Sequence, residues 1–175
     1  MSKEKHHHKT HHLLLHFGPW IEDLPEDEVL VLISVALNYC VLHEEIKIKG
    51  YLITRSHLCL VIKSHKHSIH HILTVLSEQI ASGVYAYLKL MYEEDDEEKV
   101  IYLHDQYSMF TKHTLQNRYL IQLITGKDVK LPYYSPKLAR LKSLTHNYNY
   151  CSVPDYTGAK GPVTVYIPEK KSHGL

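Results

Sequence analysis

The chain has 175 residues and a mass of 20.4 kDa, is 44% hydrophobic and 22% charged, and carries a formal net charge of +1. That balance fits one globular domain and excludes a disordered, collagen-like or coiled-coil chain. The longest apolar stretch, residues 29–37, is about half a membrane span and contains Ser34, residues 1–10 lack the apolar stretch of a signal peptide, and the three cysteines lack metal-site spacing, so a cytoplasmic protein without membrane association is expected.

Residues 1–10, with His6, His7 and His8, read as a disordered His-rich tail, and residues 11–175 as a single domain. Residues 11–17 are a short apolar run ended by Gly18 and Pro19, a strand. After Pro25 the acidic Glu26, Asp27 and Glu28 open a helix with Val29, Leu32, Ile33, Ala36, Leu37, Cys40 and Val41 at helical spacing, ending near His43. Residues 46–54 alternate, residues 58–62 are continuously apolar, and the pair predicts a hairpin. Ile69, Ile72, Leu73, Leu76, Ile80, Val84 and Leu88 predict a long helix, and residues 99–104 a fourth strand. The order is βαββαβ, an α+β fold of ferredoxin-like type with an antiparallel sheet and helices on one face. The acidic run 93–98 is an exposed loop in it. A further helix is predicted over 114–125, stopped by Gly126. Beyond it Pro132, Pro136, Pro154, Pro162 and Pro168 predict an extended, irregular basic wrap.

From Arg118 onward there are nine Lys/Arg against three acids, interleaved with Tyr119, Tyr133, Tyr134, Tyr148, Tyr150, Tyr156 and Tyr166. Cations that track phosphates beside rings that stack on bases suit single-stranded nucleic acid, and Lys130, Lys137, Arg140 and Lys142 are the candidate phosphate contacts. The plainer alternative is a solvated tail whose tyrosines pack on the core. Among the histidines, His67 and His71 read as a helical i,i+4 pair able to hold zinc, but with no carboxylate or cysteine nearby in sequence a structural or solvent-exposed role is expected.

The segment Tyr51-Leu-Ile-Thr-Arg-Ser-His57-Leu-Cys59-Leu-Val-Ile62 resembles the hairpin of the single-strand HUH transposases of the insertion sequence 200 type, including the REP-associated tyrosine transposases. In that family a strand ends in a tight turn and the next begins with His, an apolar residue and His. The segment Asn147-Tyr-Asn-Tyr-Cys-Ser-Val-Pro-Asp-Tyr-Thr-Gly158 is similar to the family's tail motif, and Ser135-Pro136 stands near its Asn-Pro. The resemblance implies a homodimer that binds single-stranded or hairpin DNA. It also implies a magnesium or manganese ion at the two histidines and a helix tyrosine that attacks the phosphate and stays joined to it.

Here His57 is the candidate metal ligand, but Cys59 occupies the second histidine position, and a thiol suits these hard ions poorly. Strict spacing puts the nucleophile at Leu131, near Tyr133 and Tyr134; helix register instead nominates Tyr119, flanked by Leu115 and Leu123. Tyr119 and Tyr134 are therefore the catalytic candidates, in that order, with packing of its helix on the sheet as the other role for Tyr119. A transposase-like DNA-binding protein with weakened or absent catalysis is expected. The alternatives are an active metal-dependent tyrosine transposase or nickase, and a ferredoxin-like interaction module that binds no DNA.

Overall fold

The computed structural model describes residues 9–91 and 109–169. They form an α+β structure around a four-stranded antiparallel sheet of β1 (Lys9–Phe17), β2 (Ile46–Ile53), β3 (His57–Ser64) and β4 (Phe110–Thr114), in the order β2-β3-β1-β4. Helix α1 (Glu26–His43) follows β1, and α2 (Ile69–Met91) follows β3. Two further helices, α3 (Arg118–Ile124) and α4 (Pro136–Asn147), come after β4. No helix among the described residues is long and apolar enough to cross a membrane.

Strand alternation and helical periodicity meet in the main core. Leu13 and Leu15 of β1 and Leu58, Leu60 and Ile62 of β3 point to one face, where they pack with Ile33 and Leu37 of α1 and with the stripe Ile72, Leu76, Ile80, Val84 and Leu88 of α2. Full burial of each such side chain contributes roughly 1.5–3 kcal/mol. Trp20, in the turn before α1, is buried and its indole N–H donates to the Met109 carbonyl at 2.7 Å, which fixes the chain just ahead of β4.

The other face of the sheet departs from the sequence expectation. Helices do not lie on one face only: Leu120 and Ile124 of α3, with Leu115 and Cys151, cover Leu52, Cys59 and Val61 on the reverse side. A register shift between Ile48 and Gly50 makes this possible. Ile46 and Ile48 face the main core before it and Tyr51 and Ile53 after it, so the bulge changes the parity of the strand and turns Leu52 toward α3.

The stretch after α3 is also not a purely irregular wrap, because it contains α4. Ser135 caps that helix, accepting the Leu138 N–H at 3.3 Å, and Pro136 sits in its first turn, where proline starts a helix rather than breaking one. The preceding helix is shorter than the predicted 114–125. Asn117 caps it by accepting the Leu120 N–H at 3.1 Å, while Thr114 ends β4. Strand β1 starts at Lys9, inside the segment set aside as tail. The predicted strand at 99–104 and the acidic run 93–98 lie outside the described residues, and the strand seen beside β1 is Phe110–Thr114.

The tail segment runs along the free edge of β2. Ile53 N–H donates to Tyr150 O (2.9 Å), Ser152 N–H to Tyr51 O (3.0 Å) and Tyr166 N–H to Ile48 O (2.8 Å), which closes an edge otherwise open to pairing. Buried Ser152 locks the corner: its hydroxyl donates to Ile124 O at 2.6 Å and accepts the Tyr51 N–H at 2.9 Å. Asp155 accepts the Gly161 N–H at 3.1 Å and Tyr156 donates to Lys49 O. The Asp-Tyr-x-Gly segment thus clamps the tail to β2.

Candidate functional site

His57 opens β3 and its ring is held by the hairpin turn. Nδ1 lies 3.0 Å from Ser56 Oγ and 3.1 Å from Thr54 Oγ1, while the main chain of His57 exchanges hydrogen bonds with Thr54. Nε2 has no hydrogen-bond partner among the described residues. Partial burial, and next the neighbouring His16, push the imidazole below its ordinary pKa, toward the neutral form that accepts a proton or binds a metal.

His57 has imidazole neighbours that the sequence did not single out. His16 stands opposite it across the β1–β3 ladder with ring centroids 5.8 Å apart, and His113 of β4 meets His16 edge-on at 5.1 Å. Three strands therefore place three rings on the reverse face of the sheet. The only sequence signal for His16 was its position at the end of β1, which becomes informative once the β1–β3 register is known.

Cys59 follows along the same strand face but is only 2% exposed, enclosed by the cluster beneath α3. Burial, and then Cys151, push its thiol up to about 11. It behaves as the buried small hydrophobe expected from its surroundings.

Tyr119 is 40% exposed on α3, whereas Leu115, Leu120, Leu123 and Ile124 around it are buried. Helix packing on the sheet therefore falls to Leu120 and Ile124, and Tyr119 is left at the surface of a helix fixed on both flanks. Tyr134 is 80% exposed in the loop before α4, outside regular helix as its flanking prolines imply. No hydrogen bond or ring contact joins either tyrosine to His57 among the described residues.

The four candidate cations divide into two groups. Lys130 and Lys142 converge on Asp128, with Nζ to carboxylate distances of 3.2 and 3.9 Å, so the basic segment has an acid within it. Lys137 and Arg140 are exposed on α4. At about 100° per residue Lys137 and Lys142 flank the buried side of α4, about 140° apart. That side carries Leu138 and Thr145.

The His67 and His71 pair also differs from its sequence reading. His67 precedes α2 rather than lying on it, and the carboxylate absent nearby in sequence comes from Glu44, the C-cap of α1. Glu44 Oε2 lies 2.9 Å from His71 Nε2 and 3.4 Å from His67 Nε2. No protein-family model, curated protein or solved structure matches the chain.

Proposed function

We propose that the chain is a transposase-like DNA-binding protein that recognises single-stranded or hairpin DNA, with metal-dependent strand transfer weakened or lost. The observation that carries this reading is Tyr119, exposed on a helix whose flanking leucines are buried. An aromatic ring presented on a fixed element suits stacking on a base, and its hydroxyl suits attack on a phosphate. Arg118 beside it and Lys137 and Arg140 on α4 are exposed cations able to contact phosphates. The weakened chemistry follows from Cys59: with the thiol under α3, His57 lacks the second ligand of a magnesium or manganese site on its own strand.

The strand order β2-β3-β1-β4, with a helix after β1 and another after β3, supports a ferredoxin-like assignment of the fold. The homodimer rests on the family resemblance, and the exposed apolar residues Val31, Val35 and Leu42 of α1 are the surface through which two copies would meet. A cytoplasmic location belongs to the same proposal.

Two rival readings each have an observation behind them. The Asp128 carboxylate shared by Lys130 and Lys142, which offsets part of their charge, favours an interaction module without DNA binding. His16 beside His57, with His113 against His16 in turn, favours an active enzyme that draws its imidazoles from other strands of the sheet. Electrophoretic titration with hairpin and duplex DNA at two salt concentrations, followed by a search for a covalent phosphotyrosine product with manganese, separates the three. Hairpin binding without an adduct is expected; absence of binding supports the interaction module, and a tyrosine-linked product supports the active enzyme.

A further inference from the structure

We propose that Glu44, His67 and His71 form a binding site for a divalent transition ion of the zinc class, independent of the DNA-binding reading. Three elements bring the donors together: the end of α1, the loop after β3 and the first turn of α2. Both imidazoles present Nε2 to the same carboxylate oxygen, and the donor atoms all lie within 4.8 Å of one another. Ligands at roughly 2.0–2.2 Å in a tetrahedral shell are roughly 3.3–3.6 Å apart. The observed 3.4 Å falls within that spacing and the observed 2.9 Å is shorter than it, so a small outward adjustment of His71 would seat an ion.

Local hydrogen bonds hold the main chain at each of the three residues. Glu44 N–H donates to Cys40 O at 2.9 Å, Ser64 Oγ donates to the His67 carbonyl at 2.6 Å, and His71 N–H donates to Ser68 Oγ at 3.2 Å. Two features of the turn are unfavourable by themselves. A carboxylate at the C-terminal end of an 18-residue helix faces the negative end of its dipole. The next residue, Glu45, adopts φ of 53°, the left-handed region that side chains other than glycine rarely enter. A cation between Glu44 and the two rings relieves the first and gives a use for the turn that the second creates. Lys66 does not fill this role, because its ammonium pairs with Glu45.

Two imidazoles and one carboxylate are donors for zinc and similar first-row ions, whereas magnesium and calcium call for oxygen shells. Side-chain exposures of 14% for Glu44, 29% for His67 and 47% for His71 leave the centre reachable from solvent, with room for water as a fourth ligand. Bound there, the ion ties the end of α1 to the start of α2.

The test is the melting temperature of the full chain with and without zinc chloride. It is repeated for His71→Ala, for Glu44→Gln and for a variant with His6, His7 and His8 changed to alanine, which separates any zinc effect of those histidines from that of the site. Zinc is expected to raise the melting temperature of the unmodified chain and of the tail variant, and the rise is expected to vanish in His71→Ala and Glu44→Gln. A tail variant titrated with zinc should bind one equivalent that His71→Ala in the same background lacks. A rise that survives His71→Ala, or no zinc-dependent rise in the tail variant, overturns the proposal. If Glu44→Gln does not fold, His71→Ala decides alone, since its half-exposed side chain is removable without disturbing the core.

Discussion

Gly50 of β2 lies directly under the last turn of α3, so that a Cβ at this position would stand 2.5 Å from the carbonyl oxygen of Ile124 and 2.8 Å from its carbon. The obstacle is main chain and cannot rotate away. The approach is possible because the bulge beside Gly50 bends the strand, and it sets the height at which α3, and with it Tyr119, rides above the sheet.

Gly50→Ala is therefore expected to lift α3 and to lower stability by about 1–3 kcal/mol. The change should be read as a shifted denaturant midpoint. Loss of DNA binding alongside it would tie the seat of α3 to the interface, and an unchanged midpoint would contradict the close contact.

Cys59→His, the substitution that rebuilds the two-histidine pattern on β3, is expected to fail as a repair. The larger ring would enter a cluster closed by Leu120, Ile124 and Cys151, and its nitrogens would lack partners. Stability should fall by about 1–3 kcal/mol. Manganese-dependent cleavage of hairpin DNA should not appear, and a stable variant with brisk cleavage would show that α3 yields to the histidine.

Alkaline pH should destabilise the chain in part through its thiols. Burial raises Cys59 and Cys151 to about 11, and Cys40 to about 12, from 9.0. The folded state disfavours the thiolate, so this contribution is fully present below about pH 9 and is lost as pH rises through the folded values. Denaturant midpoints taken between neutral pH and pH 11 should decline over that upper range. Alkylation at pH 8 should be slow in the native chain and fast in denaturant.

Among the cations, changing Lys137 and Arg140 together to alanine should weaken DNA binding similarly for all sequences. The slope of log affinity against log salt should flatten by roughly one to two units. The Lys130 and Lys142 pair, already facing Asp128, should change it less. Equal effects from the two pairs would show that the Asp128 contacts open on binding.

Tyr119→Phe should keep most hairpin affinity, because stacking uses the ring, and should abolish any covalent product made with manganese. An adduct that survives the substitution would remove Tyr119 as the nucleophile and leave Tyr134 to be tested.

The sequence by itself determined the elements whose information is local. Helices α1 and α2 were legible because their buried residues recur every three or four positions, and β2 and β3 because an alternating run and an apolar run flank a short turn. Helix α4 was locally encoded too, but Pro136, one of the recurring prolines that predict an irregular wrap, starts a helix because Ser135 caps it. What only the tertiary structure decided is which residues face each other across elements. The bulge at Gly50 changes the parity of β2, α3 buries Cys59 while leaving Tyr119 exposed, and the β1–β3 register sets His16 opposite His57. Glu44 meets His67 and His71 because the β2–β3 register sets Ile46, just after Glu44, beside Ser64 at the end of β3. Periodicity records how a residue relates to neighbours three or four positions away, and these encounters depend on register, bulges and helix seating, which long-range packing determines.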